Sequence, residues 1–318
     1  MKANCTHAII EMTSEGAKQY RHRFIDMDAL IFTNLSPEHI ESHGSYENYR
    51  DAKLSIARTL ARSIKKHHFM VANNDDKEGA LFLSIPGVTK VPFSKEDVMP
   101  IKSDAKETMI TWRGVPVTST LPGLFNAYNI IAAATCAAAL GINDESIRAG
   151  ISKTIGIEGR AERVEAGQPF PVIVDYAHTP DSLEALYSTF KDYENVCILG
   201  NTGGGRDKWK RPVMGHVAET YCTEIILTNE DPYDEDPQAI LDEMAAGMKT
   251  AKPKIILDRR EAIVYGIKRA QQHKNSALLI TGKGTDPYIM GPNGTKILWD
   301  DADVVKEELT NILGAFKT

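Results

Sequence analysis

Short apolar runs alternate along this chain with longer segments of helical periodicity. In the first half, HAIIEM, ALIFTNL, HFMVAN and ALFLSI are bounded by turn residues and predict buried strands. Helical spacing predicts helices over 46–65, 124–140 and 144–154, and weak alternation predicts a hairpin region over 87–120. Strands that alternate with helices are typical of parallel α/β architecture.

A second α/β series begins near Gly159. Its predicted helices cover 180–193, 209–222 and 302–316, and the first is entered through Thr179 and Pro180. Its predicted strands are VIVDY, VCILGN, EIILTN, KIILD and ALLITG. Because GIEGR punctuates the chain between the two series, we predict two domains, at residues 1–157 and 158–318.

Composition narrows the class of protein. The chain has 318 residues, of which 25% are charged and 42% hydrophobic, as in ordinary globular proteins. Its net charge of -6, without a basic stripe, argues against nucleic-acid binding. The apolar runs are too short for a membrane span, and the start does not resemble a signal peptide. The four scattered cysteines form no CxxC pair, so we expect reduced thiols in a cytoplasmic protein.

Polar residues follow two predicted strands of the first half. Glu11 ends one strand, and His39 follows the next. Strand ends of a parallel sheet line the ligand crevice, where a carboxylate and an imidazole could hold Mg²⁺. The alternative is that Glu11 and His39 are ordinary loop residues and that Lys53 is a solvated lysine.

A second polar cluster follows VIVDY. Asp175 and His178 precede a helix whose amino end carries a partial positive charge, which suits phosphate or ribose hydroxyls. The alternative is a turn role for Asp175 and a helix-capping role for Thr179.

GNTGGGRD, residues 200–207, has nearly the glycine spacing of the phosphate loop G-x-x-x-x-G-K-S/T. Arg206 and Asp207 stand where that loop needs a lysine and a hydroxyl. The ends of the VCILGN strand and of two later strands carry charged residues of both signs, which suit a zwitterionic ligand. A solvated charged rim would also explain them. The residues are Arg206, Lys208, Glu230, Asp231 and Asp286.

An ordered series of motifs runs through almost the whole chain. It comprises EMTSEG, FTNLSPEHIESHGSYENYRDAK, GLFNAYNIIAA, GRAERV, VDYAHTPDSL, GGGRDKWKRPVMG, the Asp-Pro pair at 231–232 and GKG at 282–284. This series resembles the Mur ligase superfamily, most closely the UDP-N-acetylmuramoyl-tripeptide synthetases (MurE type). The resemblance implies a partial central domain, mostly a parallel sheet with helices, and a Rossmann-like α/β C-terminal domain.

The resemblance also implies a chemistry. Such ligases use ATP and Mg²⁺ to convert a substrate carboxylate into an acyl phosphate, which an incoming amino acid attacks to form an amide. It implies Mg²⁺ near Glu11, His39 and Lys53, with the lysine carbamylated. It further implies that Asn126 and Asn129 contact adenine and that Ser14 lies near the muramyl substrate. Ribose or phosphate contacts are implied for Arg160, Asp175 and His178.

Two departures from the family pattern change the expectation. The family's UDP-binding domain and its G-T-x-G-K-S/T phosphate loop should precede EMTSEG, and the sequence contains neither. We therefore expect weak ATP binding and little or no ligase activity from this chain alone. A truncated central sheet would also favour self-association.

The second departure concerns the amino acid. Diaminopimelate enzymes carry D-N-P-R, whereas this chain has Glu230, Asp231, Pro232 and Tyr233, and G-K-G-H-E becomes a segment from Gly282 to Asp286. Arg206 is left for the α-carboxylate, and Glu230, Asp231 and Asp286 for an ammonium group. The resemblance thus favours a lysine-like diamino acid as the third residue added to UDP-MurNAc-dipeptide.

Two other readings stay open. Folylpolyglutamate synthases share the pairing of GRAERV with VDYAHTPDSL, and an archaeal-type peptide ligase is a further relative, although GGGRDKWKRP favours the muramyl branch. The missing phosphate loop also supports a non-catalytic binding module, or half of a two-chain enzyme.

Overall fold

A computed structural model describes residues 5–314 and divides them into two compact units. The first unit contains the described residues up to Asp97 together with Tyr128–Asp144. The second contains Val98–Ala127 and the described residues from Glu145 onward. The units therefore do not follow a single cut in the chain, and the domain boundary near residue 157 stays a prediction.

The secondary structure is mixed α/β, as predicted. The helices are α1 (Ser14–Lys18), α2 (Ile40–His43), α3 (Tyr46–Leu60), α4 (Gly79–Leu83), α5 (Leu124–Ala139), α6 (Asp144–Lys153), α7 (Pro180–Thr189), α8 (Lys210–Tyr221), α9 (Pro237–Ala245), α10 (Arg259–Ala270) and α11 (Asp301–Gly314). The strands are β1 (Ala29–Phe32), β2 (Phe69–Asn73), β3 (Thr89–Phe93), β4 (Lys102–Ser103), β5 (Thr108–Trp112), β6 (Val115–Ser119), β7 (Glu162–Arg163), β8 (Val172–Asp175), β9 (Glu194–Leu199), β10 (Glu224–Leu227), β11 (Lys254–Ile255), β12 (Ser276–Thr281), β13 (Tyr288–Met290) and β14 (Lys296–Leu298). Residues 315–316 of the predicted last helix lie outside the described residues.

The first unit is built on a parallel sheet in the order β1-β2-β3. Every residue of β2 is buried, because this strand lies in the middle of the sheet. The helix α3 contributes Leu54, Ala57 and Leu60 to a core that also contains Phe32 and Met70. The helical spacing of these positions explains why the segment buries one face.

Two predicted strands of the first unit are wrong. HAIIEM is irregular, and Ile9 and Ile10 are exposed, because no strand within residues 5–314 pairs with it. The first four residues of ALFLSI, at 80–83, belong to the helix α4 instead. A turn precedes it, in which the Glu78 amide donates to Asp76 Oδ1 at 2.8 Å, and this turn starts a helix rather than a strand.

The second unit contains a sheet in the order β11-β10-β9-β12-β8-β7, parallel except for β7. The helices α7, α8 and α9 contribute Leu186, Met214 and Leu241 to the core on one face. The helices α10 and α11 contribute Ile263 and Val305 to the core on the other. The predicted hairpin region contains β4, β5 and β6, which form a separate antiparallel sheet.

The order of these strands creates a crevice at their carboxyl ends. The strand β12 lies between β8 and β9. The helix after β12 packs on the opposite face of the sheet from the helices that follow β8 and β9. Loops that leave neighbouring strands toward opposite faces separate and open a crevice, which is where α/β sheets bind ligands.

The expectation of four reduced thiols is wrong. A disulfide joins Cys197 in β9 to Cys222, the residue after α8, with the two Cα atoms 6.0 Å apart. The fold brings the pair together because α8 runs back along the sheet beside β9. Cys5 and Cys136 are free thiols.

We predict that Glu219 stabilises the second unit only above acidic pH. Its carboxylate on α8 accepts the amide hydrogens of Lys249, Thr250 and Ala251, which lowers its pKa from 4.5 to about 2. The stabilisation is fully present above the unfolded-state pKa and is lost as the pH falls toward 2. Glu219→Gln should therefore lower the melting temperature at pH 7 and have little effect near pH 2. Glu145→Gln, an exposed control in the first turn of α6, should lower the melting temperature at pH 7 only slightly, through the helix dipole. A constant Glu219 effect from pH 7 to 2 would contradict the account.

Candidate functional site

In the first unit, two predicted site residues lie beside Tyr49 on α3. The ring centroids of His39 and Tyr49 are 6.0 Å apart, and Lys53 Nζ lies 5.4 Å from the centroid of the Tyr49 ring. His39 has a left-handed φ of 56°, which is uncommon outside glycine and is often found at functional sites. The spacing of the motif thus brings His39 and Lys53 to one face of the unit.

Burial lowers the pKa of Lys53, and the carboxylates of Glu38 and Glu11 act in the opposite direction. Glu11 is exposed, so its carboxylate is open to solvent while it acts on the lysine. A lysine with a lowered pKa carries a larger neutral fraction at a given pH, and the neutral amine is the nucleophilic form.

Ser14 is buried rather than open to a substrate. Its hydroxyl lies 3.2 Å from Nε2 of His43, and the same nitrogen lies 3.3 Å from Glu15 Oε1. Because both partners meet one ring nitrogen, these residues do not form a Ser-His-acid relay, which needs both ring nitrogens.

The predicted metal residues fit Mg²⁺ only in part. Within residues 5–314, no group of three His, Cys, Asp or Glu side chains is arranged to hold a metal ion. Glu11 offers one carboxylate, and His39 offers a nitrogen, which Mg²⁺ takes less readily than oxygen. A second oxygen donor would have to come from a modified Lys53 or from substrate phosphate.

The two asparagines of α5 differ in exposure. Asn126 is buried, and its side-chain amide donates to the Pro122 carbonyl at 2.8 Å. Asn129 is exposed. The structure thus leaves Asn129 the more accessible of the two predicted adenine contacts.

In the second unit, Arg160, Asp175 and His178 come together at the end of β8. Asp175 accepts the amides of Ala161 and Ala177, each at 2.6 Å, so both of its carboxylate oxygens hold backbone. Burial raises the pKa of Asp175, while these two bonds oppose the shift. Asp175 thereby fixes the strained turn beside Arg160, because Ala161 has a φ of 46°.

Tyr176 lies between the other two members of this cluster. The Arg160 guanidinium lies 4.5 Å from the centroid of the Tyr176 ring. Nδ1 of His178 lies 2.7 Å from the Tyr176 carbonyl, which can only accept, so Nδ1 carries a proton. The buried Lys210 donates to the His178 carbonyl at 3.0 Å and ties this turn to α8.

The crevice beside β12 contains Glu230. Its side chain passes Gly200 at the end of β9 and reaches Gly282, whose φ is 109° and where an added Cβ would lie 2.4 Å from Glu230 Oε2. Glu230 is 3% exposed, and Oε1 accepts the Thr202 hydroxyl at 2.6 Å. Oε2 is buried and has no hydrogen-bond partner among the described residues. A buried carboxylate oxygen without a donor is costly, which makes Glu230 a candidate ligand contact.

Asp231 is already paired. Both of its carboxylate oxygens lie 2.9 Å from Nζ of Lys283, and Oδ1 also accepts the Met290 amide at 2.8 Å. Asp286 Oδ2 lies 3.5 Å from the same Lys283 ammonium and is about half exposed. Lys283 belongs to the GKG motif, but the sequence does not show that this lysine pairs with Asp231 and Asp286.

Arg206 and Tyr233 lie on neighbouring loops. Arg206 is exposed and forms no ion pair with another residue in the described part of the chain. Tyr233 has a φ of 51°, and its ring packs on Gly204, where an added Cβ would lie 2.7 Å from Cδ2 of the tyrosine. The two residues are thus held close by the glycines before Arg206.

Sequence reasoning missed two buried arginines that hold these loops. Arg211, 1% exposed, donates to Glu235, Glu243 and Asn201. Arg259 is fully buried against Asp301 and donates to the carbonyls of Thr281 and Asn229. The KRP triplet at 210–212 was the available signal for Arg211, whereas nothing in the sequence marked Arg259.

Comparison with known proteins identifies the family. Residues 1–137 match the Mur ligase middle domain, and residues 159–284 match the Mur ligase glutamate ligase domain. A UDP-N-acetylmuramoyl-L-alanyl-D-glutamate--2,6-diaminopimelate ligase of Bacillus cereus is 35% identical over 320 residues, which cover 96% of this chain and 64% of that relative. This chain therefore spans about 64% of the length of that curated relative.

Solved structures agree on the fold. A structure of a UDP-N-acetylmuramoyl-L-alanyl-D-glutamate--2,6-diaminopimelate ligase has a TM-score of 0.59 at 27% identity and covers 98% of this chain and 66% of its own. A Mycobacterium tuberculosis folylpolyglutamate synthase, at 20% identity, shares the fold with a TM-score of 0.63 and covers 81% of this chain and 62% of its own. With both domain models matched in order and a relative 35% identical across 96% of it, the chain belongs to the Mur ligase family.

Proposed function

We propose that this chain is the part of an ATP-dependent amide ligase that receives a diamino acid and joins it to UDP-MurNAc-dipeptide. Family membership and the activity of the similar Bacillus cereus ligase support the reaction class. In this proposal, residues 1–157 are the C-terminal part of a central, ATP-binding domain, and residues 158–318 are the amino-acid-binding domain. We also propose a cytoplasmic location on the strength of family membership, although the Cys197–Cys222 disulfide is unusual for that compartment. None of the helices within residues 5–314 is long and apolar enough to cross a bilayer.

The single observation that carries the proposal is the unpaired oxygen of Glu230. Lys283 pairs with Asp231 and Arg259 pairs with Asp301, whereas Glu230 forms no ion pair with any described residue and has only a longer-range attraction to Arg259. An ammonium group in the crevice would supply the missing donor and charge. The exposed Arg206, on the loop after β9, would bind the α-carboxylate of the same amino acid through two parallel hydrogen bonds.

The first unit would serve the activation of the dipeptide carboxylate. ATP and Mg²⁺ supply the phosphoryl group and the charge that turn this carboxylate into an acyl phosphate. Glu11 would hold the metal, and Lys53 would join it once carbamylated, a modification that consumes the neutral amine favoured by its lowered pKa. In the second unit, Arg160 and His178 would bind ribose or phosphate oxygens, with Asp175 holding their turn in place.

We expect the chain alone to turn over slowly. Its sequence contains no G-K-S/T loop to cradle the β- and γ-phosphates of ATP. The measurement is phosphate release with ATP, Mg²⁺, UDP-MurNAc-dipeptide and L-lysine. Rates normal for a ligase would contradict this expectation but would not contradict the proposed amino-acid site.

We expect L-lysine to bind more tightly than meso-diaminopimelate, by about tenfold or more. Tyr233 packs on Gly204 where diaminopimelate enzymes carry the arginine for a distal carboxylate, and Glu230 and Asp286 would repel that carboxylate. The similar Bacillus cereus ligase is named for diaminopimelate, so family likeness and the residues of this chain predict different amino acids. Calorimetric titration of the chain with both amino acids decides the matter, and a clear preference for diaminopimelate would reject the lysine assignment.

A second candidate function is a binding module that recognises the amino acid without catalysis, or half of a two-chain enzyme. Arg206, Glu230 and Asp286 all belong to the second unit, so the proposed amino-acid site uses no residue of the first unit. Turnover that appears only when a second protein supplies a G-K-S/T loop would identify the two-chain form. Turnover of folate and glutamate in place of muramyl substrate would instead support the folylpolyglutamate synthase branch.

A further inference from the structure

The loops at the carboxyl ends of β9, β10 and β12 meet at one residue, Asp231. Its carbonyl accepts the Gly203 amide at 2.7 Å, which fixes the loop that leads to Arg206. Its carboxylate accepts Lys283 Nζ and the Met290 amide, which fixes the segment that carries Asp286. Asp231 therefore holds the loop on either side of the one that carries Glu230.

Asp231 is a poor candidate for direct contact with a ligand. It is 5% exposed, its two oxygens already share the Lys283 ammonium, and Oδ1 has the Met290 amide as well. Lys283 is 1% exposed, and its Nζ also lies 3.5 Å from Asp286 Oδ2. The buried pair leaves the next residue along the chain, Glu230, as the carboxylate with an unused oxygen.

We propose that the Asp231–Lys283 salt bridge is a positioning device that sets the distances between Arg206, Glu230 and Asp286 and thereby the length of amino acid accepted. The proposal rests on the proposed function, since it assigns a role within that amino-acid site. It removes Asp231 from the residues that touch the substrate and adds Lys283 as a positioning residue. Groups that must meet both ends of one ligand need such fixed spacing, because small displacements weaken several contacts together.

Electrostatics and geometry predict opposite results for Lys283→Met. The substitution leaves the Asp231 carboxylate without its cation, which would strengthen the attraction of the crevice for an ammonium group. If Asp231 contacts the ligand, lysine affinity should hold or rise. If the salt bridge positions the loops, lysine affinity should fall by about tenfold or more, because the Asp231 side chain and the segment that carries Asp286 lose the contact with Lys283 that fixes them.

The decisive variant is the double substitution Asp231→Asn with Lys283→Met. It removes both buried charges together, so it should recover much of the melting temperature lost by Lys283→Met alone. It also leaves the net charge unchanged. L-norleucine, which has the length of lysine without the ε-ammonium, measures how well Glu230 is still placed to select the ammonium group.

Calorimetry with L-lysine and L-norleucine tests the proposal on the full chain. We expect the double variant to keep a weakened lysine affinity and a reduced preference for lysine over norleucine, despite its recovered melting temperature. The matched control is Glu224→Gln with Arg269→Met, a pair 2.5 Å apart at the amino end of β10, which should leave both ligands unaffected. Wild-type affinity and preference in the double variant, or tighter lysine binding by Lys283→Met, would overturn the positioning role alone. A natural chain that binds no diamino acid would overturn the proposed function itself.

Discussion

Asp301→Ala should lower the free energy of unfolding by about 3 to 5 kcal/mol. Asp301 at the start of α11 and Arg259 at the start of α10 are both fully inaccessible to solvent, and their closest atoms are 2.6 Å apart. The substitution leaves a guanidinium in the core without a counter-charge, and Trp299 Nε1 loses its acceptor, which lies at 2.7 Å. Urea unfolding of both proteins measures the difference.

Two further variants show whether the loss comes from the unpaired charge. Asp303→Ala removes an exposed carboxylate from the same first turn of α11 and should cost about 0.5 kcal/mol, through the helix dipole alone. Arg259→Met with Asp301→Leu removes both charges and should recover much of the stability. An Asp301→Ala loss as small as that of the exposed control would contradict this reading of the core.

Glu230→Gln should weaken L-lysine binding about 30-fold or more, which corresponds to about 2 kcal/mol. The substitution keeps the shape of the side chain and removes the charge that faces the ammonium group. The free protein should be as stable as before or more stable, because the variant no longer buries a carboxylate oxygen without a donor. Calorimetry and thermal unfolding of the same samples give both numbers.

L-norleucine is the matched control for this substitution. Its affinity for Glu230→Gln should equal or exceed its affinity for the natural chain, since it has no ammonium at that position. An equal loss for lysine and norleucine would mean that Glu230 supports the loops rather than reads the ligand. A large drop in melting temperature would point to the same conclusion.

Hydrophobic periodicity predicted which segments are buried better than it predicted which of them pair as strands. All five strands of the second series appear in the sheet, because buried parallel strands read as short apolar runs between turns. HAIIEM shows the limit of this signal: a run of apolar residues indicates burial, but a strand also needs a neighbour to pair with. ALFLSI failed for another reason, since a short apolar run without alternation fits a helix equally well.

The meeting of the charged loops was predictable where a motif ends a strand. Glu230, Asp286 and Arg206 follow β10, β12 and β9, and the parallel order of these strands brings their loops together. What the sequence did not reveal is which carboxylate is free. Asp231 and Glu230 are adjacent and chemically alike, and only the position of Lys283, 52 residues later, separates a paired acid from an unpaired one. The Arg259–Asp301 pair spans 42 residues and left no local signal either.

The most direct test of the amino-acid site is a crystal structure of this chain with L-lysine. The account predicts the ε-ammonium within hydrogen-bond distance of Glu230 Oε2 and the α-carboxylate against Arg206, with Asp231 still bound to Lys283. Lysine bound away from the crevice beside β12, or with its carboxylate against Glu230, would contradict it.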